Sequence, residues 1–214
     1  MIDRFKKFLS QHSYKEISRF LESEKERFYK SHSKKSENER RQGWVSYVGH
    51  NLEKLFEVLL EDFCQKNNIG LTKDKYLKRQ NLSQELAQVK RLISVDFGDY
   101  LLLPDADIVL YKRDPLKVLA ILSIKNSFRE RYTETPYWKL KLSSDEITKD
   151  IQVFMVTPDK DNEISFYSSS RGPRKARIVM EYELDGIYLA KEEFDPSPKV
   201  KSIEFLIRDL EKLL

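Results

Sequence analysis

Apolar residues along the chain follow two different periods, and the first of them is helical. In Gly49–Gln65 six apolar residues recur at spacings of three and four, which is the pattern of an amphipathic helix. Glu53 falls at the edge of this apolar stripe, and Glu57 lies one turn further round, toward solvent. The six apolar residues are Leu52, Leu55, Phe56, Leu59, Leu60 and Phe63.

From about Leu101 the period changes to short apolar runs separated by turn residues, which predict strands. The end of the chain, KVKSIEFLIRDLEKLL, returns to helical spacing and predicts a closing helix. Helices, then strands, then a helix predict an α/β fold with a central mixed β-sheet flanked by helices. The predicted strand runs are LLL, DIVLY, VLAILSI, IQVFMVT, EISFY, ARIVM and GIYLA.

The first 47 residues are polar and dense in charge, and their irregularly spaced apolar residues predict two short helices. Ser31–Arg41 has almost no apolar residue and predicts a solvated loop or linker. That segment is either a hydrated connector or a basic segment that lies on phosphates. We therefore expect an N-terminal helical arm over residues 1–47 and a main domain over residues 48–214, together one compact unit.

Composition narrows the classes of protein to which the chain can belong. Hydrophobic residues make up 40% of the sequence, charged residues 35%, and the net charge is +4. No apolar run approaches the length of a membrane span, and the N-terminus has no signal-peptide core, so no membrane association is expected. The single cysteine, Cys64, cannot form an internal disulfide, and a reducing cytoplasm is the expected location.

Alternation along two neighbouring strands places acids beside a lysine. In Pro104–Tyr111, Asp105 and Asp107 share a face, and in Lys117–Lys125, Ser123 and Lys125 share a face. Burial of the apolar sets on one side of the sheet puts these four residues together on the other side. A hairpin that turns around Pro115 pairs residues whose numbers sum to about 230, with Asp107 opposite Ser123 and Asp105 opposite Lys125.

This combination of residues suits phosphate chemistry. Carboxylates bind a hard divalent cation such as Mg²⁺, and a neighbouring lysine can orient an attacking water. The alternative is a partly buried ion pair that closes the edge of the sheet without any catalytic role.

The residues themselves resemble a known family. Pro104–Asp105, a short hairpin, and an apolar strand that ends in Ser123–Ile124–Lys125 resemble the PD-(D/E)xK nucleases, and type II restriction endonucleases among them. The resemblance implies a restriction-endonuclease-like fold and Mg²⁺-dependent cleavage of double-stranded DNA that leaves 5′-phosphate ends. It leaves open whether Asp105 or Asp107 is the principal metal ligand.

The sequence departs from the usual motif at Ser123, where the family has an acid. The resemblance implies that a helix supplies the missing carboxylate, for which Glu53 is our candidate and Glu130 and Glu134 are the rivals. It further implies that the backbone carbonyl of Ile124 completes the metal ligands. Lys125 would then position the water, and Ser123 would support the site through a hydrogen bond.

Two polar segments are candidates for DNA contact. The first follows Lys125 directly, and the second is a serine-rich basic loop predicted to follow phosphates. Each has an alternative interpretation as an ordinary solvated surface. The candidate residues are Asn126, Ser127, Arg129 and Arg131 in the first segment, and Arg171, Arg174, Lys175 and Arg177 in the second.

The resemblance also implies partners. Symmetric cutting of a duplex needs two active sites and the chain supplies one, so a homodimer is expected. A companion DNA methyltransferase would protect the host. Other functions remain open: a structure-specific or repair nuclease such as a junction resolvase, and a non-catalytic nucleic-acid-binding protein.

Overall fold

A computed structural model of the chain describes residues 1–128, 132–168 and 172–214. Two short 3-10 helices, Tyr14–Glu16 and Ile203–Phe205, precede α-helices. The α-helices in the described residues are α1 (Ile2–Leu9), α2 (Ile17–Ser31), α3 (Glu37–Lys66), α4 (Asp74–Leu77), α5 (Gln84–Ile93), α6 (Glu134–Ser143), α7 (Lys175–Glu183) and α8 (Leu206–Glu211).

Within the described residues the strands form one six-stranded mixed sheet and two short two-stranded ribbons. In the large sheet the order is β1-β4-β5-β6-β9-β10. The β1–β4 and β4–β5 pairs are antiparallel, and β5, β6, β9 and β10 run parallel. The strands are β1 (Ile69–Thr72), β2 (Val95–Asp96), β3 (Leu101–Leu102), β4 (Ile108–Arg113), β5 (Leu116–Ile124), β6 (Gln152–Thr157), β7 (Tyr167–Ser168), β8 (Gly172–Pro173), β9 (Gly186–Leu189) and β10 (Val200–Ser202).

Helices cover both faces of the large sheet, so the predicted α/β fold with a flanked mixed sheet is confirmed. On one face Ile108 and Leu122 pack with apolar residues of α1, α2, α3 and α8. On the other face Val109 and Ile121 pack with residues of α5, α6 and α7. None of the helices in the described part of the chain combines the length and apolar character needed to cross a bilayer.

The predicted hairpin is present, with the predicted register. Ile108 pairs with Leu122 and Leu110 with Ala120, and both pairs of numbers sum to 230. A shift in register beyond Leu110 pairs Tyr111 with Val118, which moves Val118 to the face of Ile121 and reverses its predicted side. The shift lies at the turn end of the hairpin, so the ladder keeps the predicted register as far as Ile108, the residue after Asp107.

The prediction of a loop over Ser31–Arg41 is wrong at its C-terminal part. The helix α3 begins at Glu37 because Ser36 caps it: Ser36 and Glu39 exchange hydrogen bonds in a capping box. Its first turns have no apolar face, and this absence suggested a loop. The helix therefore runs without interruption through residue 47, where we drew the boundary of the arm.

Two segments predicted by their apolar residues have a different structure. ARIVM, predicted as a strand, lies in α7, where Ala176 and Met180 are buried one helical turn apart. The predicted closing helix starts late, since Val200–Ser202 forms β10 and pairs in parallel with β9.

Candidate active site

Asp107 and Lys125 meet at the open end of the β4–β5 hairpin. One carboxylate oxygen, Oδ2 of Asp107, accepts a 2.6 Å hydrogen bond from the backbone N–H of Ile124. The same oxygen lies 3.4 Å from Nζ of Lys125. The two side chains are 24% and 27% exposed, so both can reach a substrate while most of their surface is covered.

The charge on Asp107 is held in an unfavourable environment. Burial raises the pKa of the Asp107 carboxyl, and the negative charge of Glu53 raises it further. Lys125 and the N–H of Ile124 act in the opposite direction without cancelling the effect. The charges of Glu53 and Asp107 therefore repel each other.

Glu53 is held by a buried lysine that we did not predict. Nζ of Lys73 lies 3.0 Å from Oε2 of Glu53 and also forms an ion pair with Glu57. The Lys73 side chain is only 3% exposed. Burial alone would lower the pKa of Lys73, but the bonds to Glu57 and Glu53 outweigh it and the pKa is raised. Glu57 therefore faces the same lysine as Glu53, and our expectation that it points toward solvent is wrong.

The fold brings Lys73 to this position because β1 ends beside the start of β4. Thr72, the residue before Lys73, pairs with Val109. The N–H of Asp74 donates to the carbonyl of Ala106, which precedes Asp107. Lys73 thus connects α3 with the chain segment that carries Asp107, and the only sequence signal for it is a lysine directly after a short apolar run.

Asp105 and Ser123 do not join this cluster. Asp105 is exposed, and its negative charge acts on Lys78, whose pKa it helps to raise. The ladder of β4 and β5 ends at Ile108, so the predicted pairing of Asp105 with Lys125 is not formed. Ser123 is buried and accepts a 2.9 Å hydrogen bond from the hydroxyl of Thr135 instead of contacting Asp107.

The remaining candidates for the missing acid and for DNA contact lie partly within and partly outside the described residues. Glu134 is the first residue of α6, and within the described residues it makes no hydrogen bond or ion pair with Asp107 or Lys125. Asn126 and Ser127 follow Lys125 and are partly exposed. Four other candidates lie outside the described residues: Arg129, Glu130, Arg131 and Arg171.

The second basic segment has one residue that cannot contact DNA. Arg177 is fully buried in α7 and donates to the carbonyls of Ile164, Ser165 and Asp195. These bonds occupy its guanidinium, so the predicted phosphate contact is wrong for this residue. Its neighbours differ, since Arg174 is exposed and pairs with Glu163, and Lys175 begins α7 with its side chain exposed.

The donors at this end of the hairpin suit a magnesium ion. Mg²⁺ is usually bound by one or two carboxylates together with substrate phosphates, rather than by a complete protein cage. Asp107 and Glu53 supply two mutually repelling carboxylates, and Ile124 supplies a backbone carbonyl. Within the described residues no three acidic, histidine or cysteine side chains converge.

Comparison with known sequences identifies the family. Residues 85–209, which include Asp107 and Lys125, match the family described as BsaWI restriction endonuclease type 2. The chain belongs to the BsaWI family of type II restriction endonucleases. Among proteins of related sequence, MjaVIP of Methanocaldococcus jannaschii is 44% identical over 206 residues, covering 91% of this chain and 91% of its own. HpyAORF263P of Helicobacter pylori is 49% identical over 186 residues, covering 80% and 95%.

Both relatives of this BsaWI-family chain are named as type II restriction enzymes. Among solved structures, the chain aligns with a complex of restriction endonuclease PspGI and its substrate DNA, at 13% identity and a TM-score of 0.49. That alignment covers 92% of this chain and 73% of the PspGI chain.

Proposed function

We propose that this BsaWI-family protein is a Mg²⁺-dependent endonuclease that cuts both strands of double-stranded DNA at a specific sequence. The observation that carries the proposal is the convergence of Asp107 and Lys125, 3.4 Å apart, at the end of a hairpin inside the family match. Glu53 supports the proposal further, because its negative charge acts on the Asp107 carboxyl and raises the pKa of that group.

Each residue has a distinct role in the proposed hydrolysis. Asp107, Glu53 and the carbonyl of Ile124 would bind Mg²⁺, which when bound neutralises charge on the scissile phosphate and polarises water. Lys125 donates hydrogen bonds from its ammonium group to the attacking water or to a phosphate oxygen, and so orients the attack. Water adds to phosphorus in line with the 3′-oxygen, the P–O3′ bond breaks, and the products are 5′-phosphate and 3′-hydroxyl ends.

Two further elements of the proposal concern partners. Cutting both strands at one site requires two active sites, so we propose that two copies of the chain act as a homodimer on DNA. We also propose a companion DNA methyltransferase, because the cell's own DNA would contain the same sequence and needs protection.

A plasmid digest with Mg²⁺, followed by sequencing of the fragment ends, tests this function. Discrete fragments whose ends share one sequence and carry 5′-phosphates are the expected result. Cleavage confined to branched DNA would instead indicate a junction-specific nuclease, and binding without cleavage would indicate a non-catalytic protein. Either result would overturn the proposal.

A further inference from the structure

Three lysines from different parts of the chain line one cavity of about 250 Å³ next to the candidate active site. Lys25 comes from α2, Lys160 from the loop after β6, and Lys191 from the segment after β9. Asn126, which directly follows Lys125, also lines this cavity. We call the cavity the lysine pocket.

The topology explains why the lysine pocket lies beside the active site. Strands β5, β6 and β9 are parallel neighbours, so their carboxyl ends lie at the same edge of the sheet. Lys125 follows β5, Lys160 follows β6 and Lys191 follows β9. Ligands of open α/β sheets bind outside this edge. A backbone hydrogen bond from Lys160 to the carbonyl of Asn126 fixes the pocket to the strand that carries Lys125.

Positive charge in the lysine pocket is only partly neutralised. Burial lowers the pKa of Lys160, and Lys25 lies near enough to lower it further. Within the described residues neither lysine has a carboxylate oxygen within 4.0 Å, and Glu22 is the one acid on the pocket wall. Like charges held close together without a paired acid are stabilised when an anion binds between them.

Asp159, one of four acids whose charges act on Lys191, is already engaged elsewhere. Asp159 is buried, and its carboxylate accepts hydrogen bonds from the backbone N–H groups of Glu163, Ile164 and Ser165. Lys191 instead contacts a neutral oxygen, Oδ1 of Asn162, at 2.6 Å. Its ammonium charge is therefore still available to a ligand in the pocket.

We propose that the lysine pocket binds a phosphate group, and that this phosphate belongs to the DNA backbone near the bond that the active site cuts. The proposal rests on the proposed function as far as DNA is concerned. Free inorganic phosphate has the same chemistry and is the alternative source. The shared strand edge and the contact through Asn126 favour the backbone phosphate.

A methylphosphonate scan tests the backbone assignment. Duplexes that contain the cleavage sequence carry one neutral methylphosphonate in place of each phosphate in turn, and binding is measured in a Lys125→Ala background to prevent cutting. We expect one position at which the parent loses about tenfold in affinity. At that position the double variant Lys25→Gln/Lys160→Gln is expected to lose no further affinity when the methylphosphonate is introduced. The slope of log K against log salt for this variant is expected to be shallower than that of the parent by about 0.9.

The matched control removes the same charge at the other end of the sheet. Lys66→Gln/Lys117→Gln changes two exposed lysines, and it should keep the parent's sensitivity at the same position. A lysine-pocket variant as sensitive as the parent would overturn the backbone assignment.

Titration of the protein with inorganic phosphate distinguishes the two sources and does not require cleavage. Phosphate binding that the pocket variant loses, without any sensitive position in the scan, would assign the pocket to free phosphate. No phosphate binding and no sensitive position would overturn the pocket altogether. If the protein cuts no specific sequence, the proposed function fails, while the titration still tests the pocket.

Discussion

At the scale of single residues, the candidate site consists of opposite charges held at partial burial. Asp107 contacts the N–H of Ile124 and lies beside Lys125, while Lys73 holds Glu53 and Glu57. The acid and the lysine were predictable, because strand alternation and hairpin pairing are local rules. Lys73 was not predictable, because its contact with Glu53 spans 20 residues and depends on how α3 packs against β1.

Lys125→Ala tests the role of the lysine in cleavage. We expect the cleavage rate to fall by at least about 10²-fold, the usual effect of losing one donor to a transition state. Binding to the cognate duplex should persist, since Lys125 acts on the reacting atoms. Single-turnover rates and binding isotherms measure the two effects, with Lys117→Ala at the far end of the same strand as control. A Lys125→Ala enzyme that cuts at the wild-type rate would contradict the site.

Glu53→Gln tests the source of the missing acid. We expect most of the Mg²⁺-supported cleavage to be lost, because the amide cannot serve as an anionic metal ligand. Glu57→Gln should have a smaller effect through Lys73. Glu61 is exposed and lies two turns beyond Glu53 in α3, so Glu61→Gln should have no effect on cleavage. The measurement is the cleavage rate against Mg²⁺ concentration. An unchanged rate for Glu53→Gln would contradict this assignment and leave Glu130, and then Glu134, as the candidate for the missing acid.

At the scale of elements, the fold depends on side chains that no periodicity reveals. The helix α7 is attached to the loop before β7 and to the segment after β9 by the guanidinium of Arg177. A run of isoleucine and valine favoured a strand there, but the segment is a helix that buries Ala176, Arg177 and Met180. The capping box at Ser36 was visible in the sequence, and it outweighed the lack of an apolar face in the first turns of α3.

Arg177→Lys should lower the stability of the fold. Lysine cannot reproduce the forked donors of arginine, so at least one buried carbonyl loses its partner, at a cost of about 1–3 kcal/mol. Urea unfolding monitored by circular dichroism measures the change. Arg174→Lys, an exposed position three residues earlier, should change stability by less than about 0.5 kcal/mol. Equal stability of the two variants would contradict the structural role of the Arg177 hydrogen bonds.

Asp209→Asn tests the attachment of α8 to the sheet. Burial alone would raise the pKa of Asp209, but hydrogen bonds from Lys201, Lys212 and Tyr188 lower it to about 2. This contribution to stability is complete above the ordinary aspartate pKa and is lost as the pH falls through about 2. The asparagine amide would still accept from Tyr188, so at pH 7 we expect a loss of about 2 kcal/mol that becomes smaller at about pH 3. Urea unfolding at the two pH values measures it, and a loss independent of pH would contradict this account.

At the scale of the whole molecule, one chain carries one candidate site, and the site lies at an edge of the sheet rather than in an enclosed cavity. The adjacency of β4 and β5 was predictable, because they are consecutive and joined by a tight turn. The positions of β1, β9 and β10 were not, because they depend on contacts between segments far apart in the sequence.

Mixing the wild-type protein with excess Lys125→Ala protein tests the homodimer. If the two chains of a dimer each cut one strand, mixed dimers should nick supercoiled plasmid and convert it to open circles. The proportion of linear product should then fall more steeply than the proportion of wild-type chain. Agarose gel quantification measures both forms. A linear yield that follows the wild-type fraction, with no open circles, would indicate that each chain cuts independently.

The unbroken helix α3 constrains how the length of this sequence can change. Trp44 lines the lysine pocket and Glu53 faces Lys73, so one rod carries parts of both sites. Nine residues of helix separate them by about 14 Å, and each residue adds a rotation of about 100°. A single insertion or deletion between them would turn Glu53 away from Lys73 or Trp44 away from the pocket. Insertions and deletions in the turn at residues 32–35 are therefore compatible with both sites. Insertions and deletions between Trp44 and Glu53 are not.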